Sequence, residues 1–71
     1  MYNYTSMIET YKIYILKPEW QDEYEKFILP EKRDLSDGEP KIHYRFFSRD
    51  KIFIDPEWWL IERYEEYNDK S

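Results

Sequence analysis

A chain of 71 residues with a formal net charge of −5 has room for one core and no second one. It has no cysteine and a single histidine, His43, so disulfides and thiolate metal sites are excluded, while eight Tyr, four Phe and three Trp supply the mass for a small core. The negative charge opposes direct binding to DNA, RNA or an anionic membrane surface, and no run of about 18 apolar residues is present to span a bilayer.

Residues 1–10 are polar and aromatic without a period and read as an irregular arm. Met1–Ser6 lacks the basic and apolar regions of a signal peptide, and the absence of cysteine suits a reducing cytoplasm. Tyr11–Leu16 is short and rich in β-formers; it predicts a strand with Ile13 and Ile15 facing the core. Pro18 and Glu19 then suit the first turn of a helix. Trp20, Tyr24, Phe27 and Ile28 fall at i, i+4, i+7 and i+8 and predict one helical stripe, ended by Pro30.

Residues 30–40 hold two prolines and the one glycine, Gly38, and read as a mobile loop. Lys41–Phe47 alternates, placing Ile42, Tyr44 and Phe46 on one face. Ser48–Asp50 turns the chain, and Lys51–Ile54 returns as the second arm of a hairpin. Asp55 is placed to cap a last helix opened by Pro56 and Glu57, in which Leu60, Ile61, Tyr64 and Tyr67 share a face. Lys12–Trp20 is echoed by Lys51–Trp58, each leading through Pro-Glu-Trp into an acidic segment. The echo is either a duplicated strand–helix unit or two uses of a sound helix start.

These elements predict a single α+β domain over residues 1–71 in the order β-α-β-β-α. The three-stranded sheet would carry two acidic amphipathic helices on one face. Trp20, Tyr24, Phe27, Leu60 and Tyr64 would pack on the sheet face bearing Ile13, Ile15, Ile52 and Ile54.

The charge is unevenly placed. Residues 18–40 carry a net −5 and residues 55–71 a net −4, whereas the hairpin, residues 41–54, carries +3. Carboxylates three and four apart repel within a helix, so two helices rich in them either have a use for the charge or present a merely solvated face.

Catalytic chemistry finds little footing. Asp34, Asp37, Gly38 and Glu39 resemble a calcium loop, but Leu35 and Arg33 stand where oxygen ligands belong. His43 has no partner in the pattern, no serine sits in a nucleophile-elbow context, and one glycine cannot build a phosphate-binding loop. The expectation is a non-enzymatic chain without cofactor or metal. Trp58 and Trp59 could stack on bases, but they lie on an acidic segment rather than in a basic groove. Fifteen aromatic residues exceed what one small core can hide, so exposed Tyr and Trp point to a protein interface.

Two readings follow. In one, the carboxylates Glu19, Asp22, Glu23 and Glu25 of the first helix and Glu62, Glu65 and Glu66 of the second, with Trp58 and Trp59, imitate phosphates. They would occupy the nucleic-acid surface of a basic protein; helix positions three and four apart are roughly 5–6 Å apart, near phosphate spacing. In the other, the chain is a small adaptor or accessory subunit held through exposed Tyr and Trp. A homodimer is left open. In size, acidity and Tyr/Trp content, with acidic stretches Glu19–Glu25 and Glu62–Glu66, the chain resembles the host-takeover and DNA-mimic inhibitors of bacteriophages. That resemblance implies a partner such as the nucleoid protein HU or RNA polymerase in a bacterial host's cytoplasm. The basic hairpin departs from the uniformly negative surface of a pure mimic.

Overall fold

The computed structural model describes residues 7–35 and 38–68. Their elements are β1 (Tyr14–Leu16), a 3-10 turn (Pro18–Trp20), β2 (Phe27–Asp34), β3 (Lys41–Phe46), β4 (Ile52–Pro56), α1 (Glu57–Arg63) and β5 (Tyr64–Glu66). All strand pairs are antiparallel, in the order β4-β3-β2-β1-β5. The expected three-stranded sheet with two helices is therefore replaced by a five-stranded sheet with one short α-helix.

The topology is a four-strand meander whose last strand returns to the free edge of the first. Laid flat, five strands at about 4.8 Å spacing would separate β4 from β5 by roughly 19 Å. Seven helical residues span only about 10 Å. Because α1 connects these two edges directly, the sheet has to curl, and α1 contributes Leu60 to the core it encloses.

The first predicted helix fails at its second turn. Pro18-Glu19-Trp20 does start a helical turn, but Gln21 follows at φ 49° and its N–H returns to the Pro18 carbonyl. Phe27–Pro30 then reads in period two. Ile28 and Pro30 are buried on the inner face, and Phe27 and Leu29 are half-buried on the outer one. A segment apolar on both faces fits a helical stripe and a strand equally well, and pairing with β1 and β3 selects the strand. Pro30 does not stop the chain. It is accommodated where the β2–β3 register shifts between Pro30 and Lys32, and its carbonyl accepts the Tyr11 N–H at 2.8 Å. The segment read as one loop, residues 30–40, thus divides into the end of β2, through Asp34, and a shorter connection.

The hairpin forms where the alternation places it, from β3 to β4. The last helix also starts where expected, with Pro56 rather than Asp55 at its cap position, but it ends at Arg63. Tyr64 turns extended (φ −122°, ψ 153°), and the Arg63 carbonyl accepts the Lys17 N–H at 2.8 Å. The two glutamates favour a helix over a strand, so pairing with β1 overrides the local preference here.

The core consists of Ile8, Tyr14, Leu16, Ile28, Ile42, Tyr44, Leu60 and Tyr64. The predicted sheet face was out by one residue on two strands. Tyr14 and Leu16 point inward where Ile13 and Ile15 were expected. On β4 Phe53 is half-buried, while Ile52 and Ile54 are 48% and 50% exposed. Since side chains alternate, a one-residue change of phase moves every side chain to the other face. Ile42, Tyr44 and Phe46 do share the inner face, and Trp20 and Tyr24 pack against the core from the β1–β2 connection. Phe27 instead lies on the outer face, opposite Ile15.

A core built on tyrosine needs a partner for each hydroxyl. Tyr14 Oη accepts the Glu9 N–H at 2.9 Å, Tyr44 donates to Asp55 at 2.6 Å, and Tyr64 donates to the Glu25 carbonyl at 2.5 Å. Burial raises the pKa of all three. For Tyr44 the Asp55 carboxylate adds to the effect, and for Tyr64 the charge of Glu25 does.

Residues 7–10 form no regular element, yet Ile8 is buried and its backbone is held at both ends. Its N–H donates to Glu57 Oε2 at 2.9 Å, and its carbonyl accepts from Arg33 Nη2, which also pairs with Glu57 at 3.1 Å. Residues 1–6, the rest of the predicted arm, lie outside the described residues. Among the described residues no helix is long and apolar enough to cross a membrane.

Candidate protein-binding surface

Arg63, at the last position of α1, is enclosed by aromatic rings. Its guanidinium carbon lies 4.3 Å from the Trp20 ring centroid, 4.1 Å from Trp59 and 5.6 Å from Tyr24. Tyr24 in turn packs edge-on against Trp59 at 5.3 Å. Arg63 Nη1 donates to the Trp59 carbonyl at 3.1 Å, and the Trp20 indole N–H donates to the Glu62 carbonyl at 3.2 Å. A weakly hydrated planar cation between indole faces is favourable where water is excluded. The cluster fastens the β1–β2 connection to the end of α1.

This fastening determines where the predicted site residues go. Glu19, Asp22 and Glu23 are exposed on the β1–β2 connection, Glu19 within its 3-10 turn and none on an α-helix. Glu25 is half-buried and accepts a hydrogen bond from the Ser48 hydroxyl, which points it toward the hairpin. Glu62 is exposed near the end of α1 beside Arg63 (3.2 Å), whereas Glu65 and Glu66 lie on β5. Glu66 pairs with Lys12 at 3.3 Å, and Lys12 also reaches Glu9 at 3.2 Å. The helical spacing expected of these carboxylates is absent, because of them only Glu62 lies on α1. The Trp20–Glu62 and Lys17–Arg63 hydrogen bonds nonetheless bring the connection that carries Glu19, Asp22 and Glu23 beside the end of α1 that carries Glu62, and β5 follows with Glu65 opposite Ile15 on the outer sheet face.

The two tryptophans have different roles. Trp59 is part of the Arg63 cluster. Trp58 is 54% exposed, and its indole N–H donates to Glu39 Oε1 at 3.1 Å. Beside it opens a groove of about 630 Å³ between α1 and the end of the β2–β3 connection. Its apolar surface comes from Met7, Pro40, Trp58 and Ile61, and its acidic edge from Glu39, Glu57 and Glu62. The Glu57 N–H donates to the Pro40 carbonyl at 2.9 Å, which fixes the two walls together. Glu39 and Trp58 are distant in sequence, so no spacing could have announced this groove.

A second surface is the outer face of the sheet. Ile15 opposes Phe27, Arg45 lies between Leu29 and Ile52, and His43 opposes Ile54. Phe27 contacts Phe47 and Tyr67 at ring-centroid distances of 6.1 and 5.4 Å. Arg45 is held at the centre by Glu31 at 2.7 Å and Asp50 at 3.2 Å. The sequence signal for this face was the unbroken run Ile52-Phe53-Ile54, apolar on both sides of an edge strand.

Among the described residues no three His, Asp or Glu side chains converge as a metal ion requires, and Asp37 of the calcium-like stretch lies outside them. No protein-family model, curated protein or solved structure significantly matches this chain.

Proposed function

We propose that this chain is a non-catalytic, acidic inhibitor that binds the nucleic-acid-binding surface of a basic protein in the cytoplasm of a bacterial host. The observation that carries this reading is an imbalance of pairing at one end. Among the described residues Glu19, Asp22, Glu23 and Glu65 make no ion pair; of the nearby cations Arg63 is enclosed by rings and Lys12 is held between Glu9 and Glu66, which leaves Lys17 and Lys26 outnumbered by the carboxylates. The exposed field at that end is therefore negative, and it attracts a basic surface at long range. Since the carboxylates come from three elements, any likeness to DNA lies in a patch of charge rather than in one helical row.

The test is capture of a basic nucleic-acid-binding protein such as HU, followed by competition with duplex DNA. Binding should weaken steeply with salt, and DNA should displace the inhibitor. Charge reversal at Glu19, Asp22 and Glu23, and separately at Glu62, Glu65 and Glu66, should abolish binding in a folded protein. Capture that DNA leaves untouched would overturn the reading.

The outer sheet face favours a second reading, an adaptor held by apolar contact. Ile52 and Ile54 occupy an edge strand with half their surface in solvent. In that case Ile52→Glu with Ile54→Glu releases the partner, and the carboxylate reversals do not.

A further inference from the structure

We propose that the groove beside Trp58 receives an arginine side chain, with a neighbouring apolar residue, from the basic partner protein. This deepens the inhibitor reading and rests on it for the identity of the partner, but the groove's chemistry stands by itself. Three carboxylates, Glu39, Glu57 and Glu62, border an otherwise apolar surface, and no lysine, arginine or histidine lines it among the described residues. Glu57 is engaged by Arg33 and the Ile8 N–H, so it acts as a fixed wall. Glu39 uses Oε1 for the Trp58 indole and keeps Oε2 for a ligand, and Glu62, exposed at the other side, meets Arg63 through Oε1 and likewise keeps Oε2. A cation entering here would meet two carboxylates and the exposed ring of Trp58.

Arginine fits better than lysine. Its planar fork can engage carboxylates while its face lies on an indole, a geometry the molecule already uses at Arg63 between Trp20 and Trp59. A groove of about 630 Å³ is in the range of ligand pockets, which leaves room for an adjoining apolar side chain against Met7, Pro40 and Ile61. Through Glu62, whose carbonyl accepts the Trp20 indole N–H, the site adjoins the connection that carries Glu19, Asp22 and Glu23, so one partner could engage both.

The experiment is an NMR titration of the full chain with a short peptide in which one arginine is flanked by leucines. Its citrulline counterpart keeps the shape and loses the charge. Shifts should concentrate at Met7, Glu39, Ile61 and the Trp58 indole N–H. Citrulline, or the isosteric pair Glu39→Gln and Glu62→Gln, should weaken binding about three- to tenfold, and Trp58→Leu about threefold. Equal affinity for both peptides, or shifts centred elsewhere, overturns the proposal. The parent reading fails separately. If arginine binds the groove but no basic protein is captured, the inhibitor reading falls and the groove stands. If capture is DNA-sensitive yet unchanged by Trp58→Leu and the glutamine pair, the groove is wrong.

Discussion

Replacing Arg63 tests whether the ring cluster at the end of α1 holds this sheet closed. The guanidinium lies 4.3 and 4.1 Å from the centroids of Trp20 and Trp59, and its side chain is only 13% exposed. A cation–π contact in a desolvated setting contributes about 2 kcal/mol, and the hydrogen bond to the Trp59 carbonyl about 1 kcal/mol. Ordering the arginine side chain offsets up to about 2 kcal/mol, and the lost stem packing adds to the cost of truncation. Arg63→Ala should therefore cost about 2–4 kcal/mol, against a total of about 4–10 kcal/mol for a domain of this length. Arg63→Met keeps the stem. It also relieves one liability, because Arg63 Nε is buried without a hydrogen-bond partner. Its cost should be about 1–2 kcal/mol. Urea unfolding followed by tryptophan fluorescence reads both values, since Trp20 and Trp59 leave their cluster on unfolding. An Arg63→Met protein as stable as the parent would refute the view that the charge holds the rings.

The face assignment of the sheet predicts opposite sensitivities at two isoleucines. Ile42→Ala should cost about 2–5 kcal/mol and Ile54→Ala under about 1 kcal/mol by urea unfolding; the reverse order would mean the sheet faces the other way. The buried tyrosines make the fold sensitive to alkali. In the unfolded chain they ionise near pH ~10, whereas Tyr44 and Tyr64 in the fold resist ionisation because of burial and the Asp55 and Glu25 carboxylates. The unfolded state then holds fewer protons, so their stabilisation is complete below pH ~10 and is lost as pH rises beyond it. Tyr44→Phe should flatten this fall in a pH series of denaturation midpoints, and an unchanged slope would exclude Tyr44 as its source. Glu57→Gln weakens the pairing with Arg33 at a site 11% exposed and should cost about 2–3 kcal/mol. Glu65→Gln, at an exposed position in no ion pair among the described residues, should stay within about 0.5 kcal/mol by the same measurement.

Much that the sequence by itself determined was local. The alternation Ile42-His43-Tyr44-Arg45-Phe46 and the polar turn after it define a hairpin whichever element packs on it. Pro56 and Glu57 start the helix because a missing N–H and an acidic side chain suit a helix N-terminus wherever one forms. The same tripeptide at Pro18 led to only one 3-10 turn, since what followed pairs between β1 and β3 instead. Where apolar residues stand on both faces, as in Tyr11–Leu16, Phe27–Pro30 and Ile52–Ile54, the pattern carries no information about which face is buried. Tertiary structure decided it, by offering a hydroxyl partner to each inward tyrosine and by placing β5 against β1. The candidate site divides in the same way. Trp58 and the predicted carboxylates other than the half-buried Glu25 were legible as exposed groups from their chemistry. Their spacing was not, because it is produced by Arg63 fastening two distant segments and by Pro40 meeting Glu57, contacts that exist only after the chain has closed.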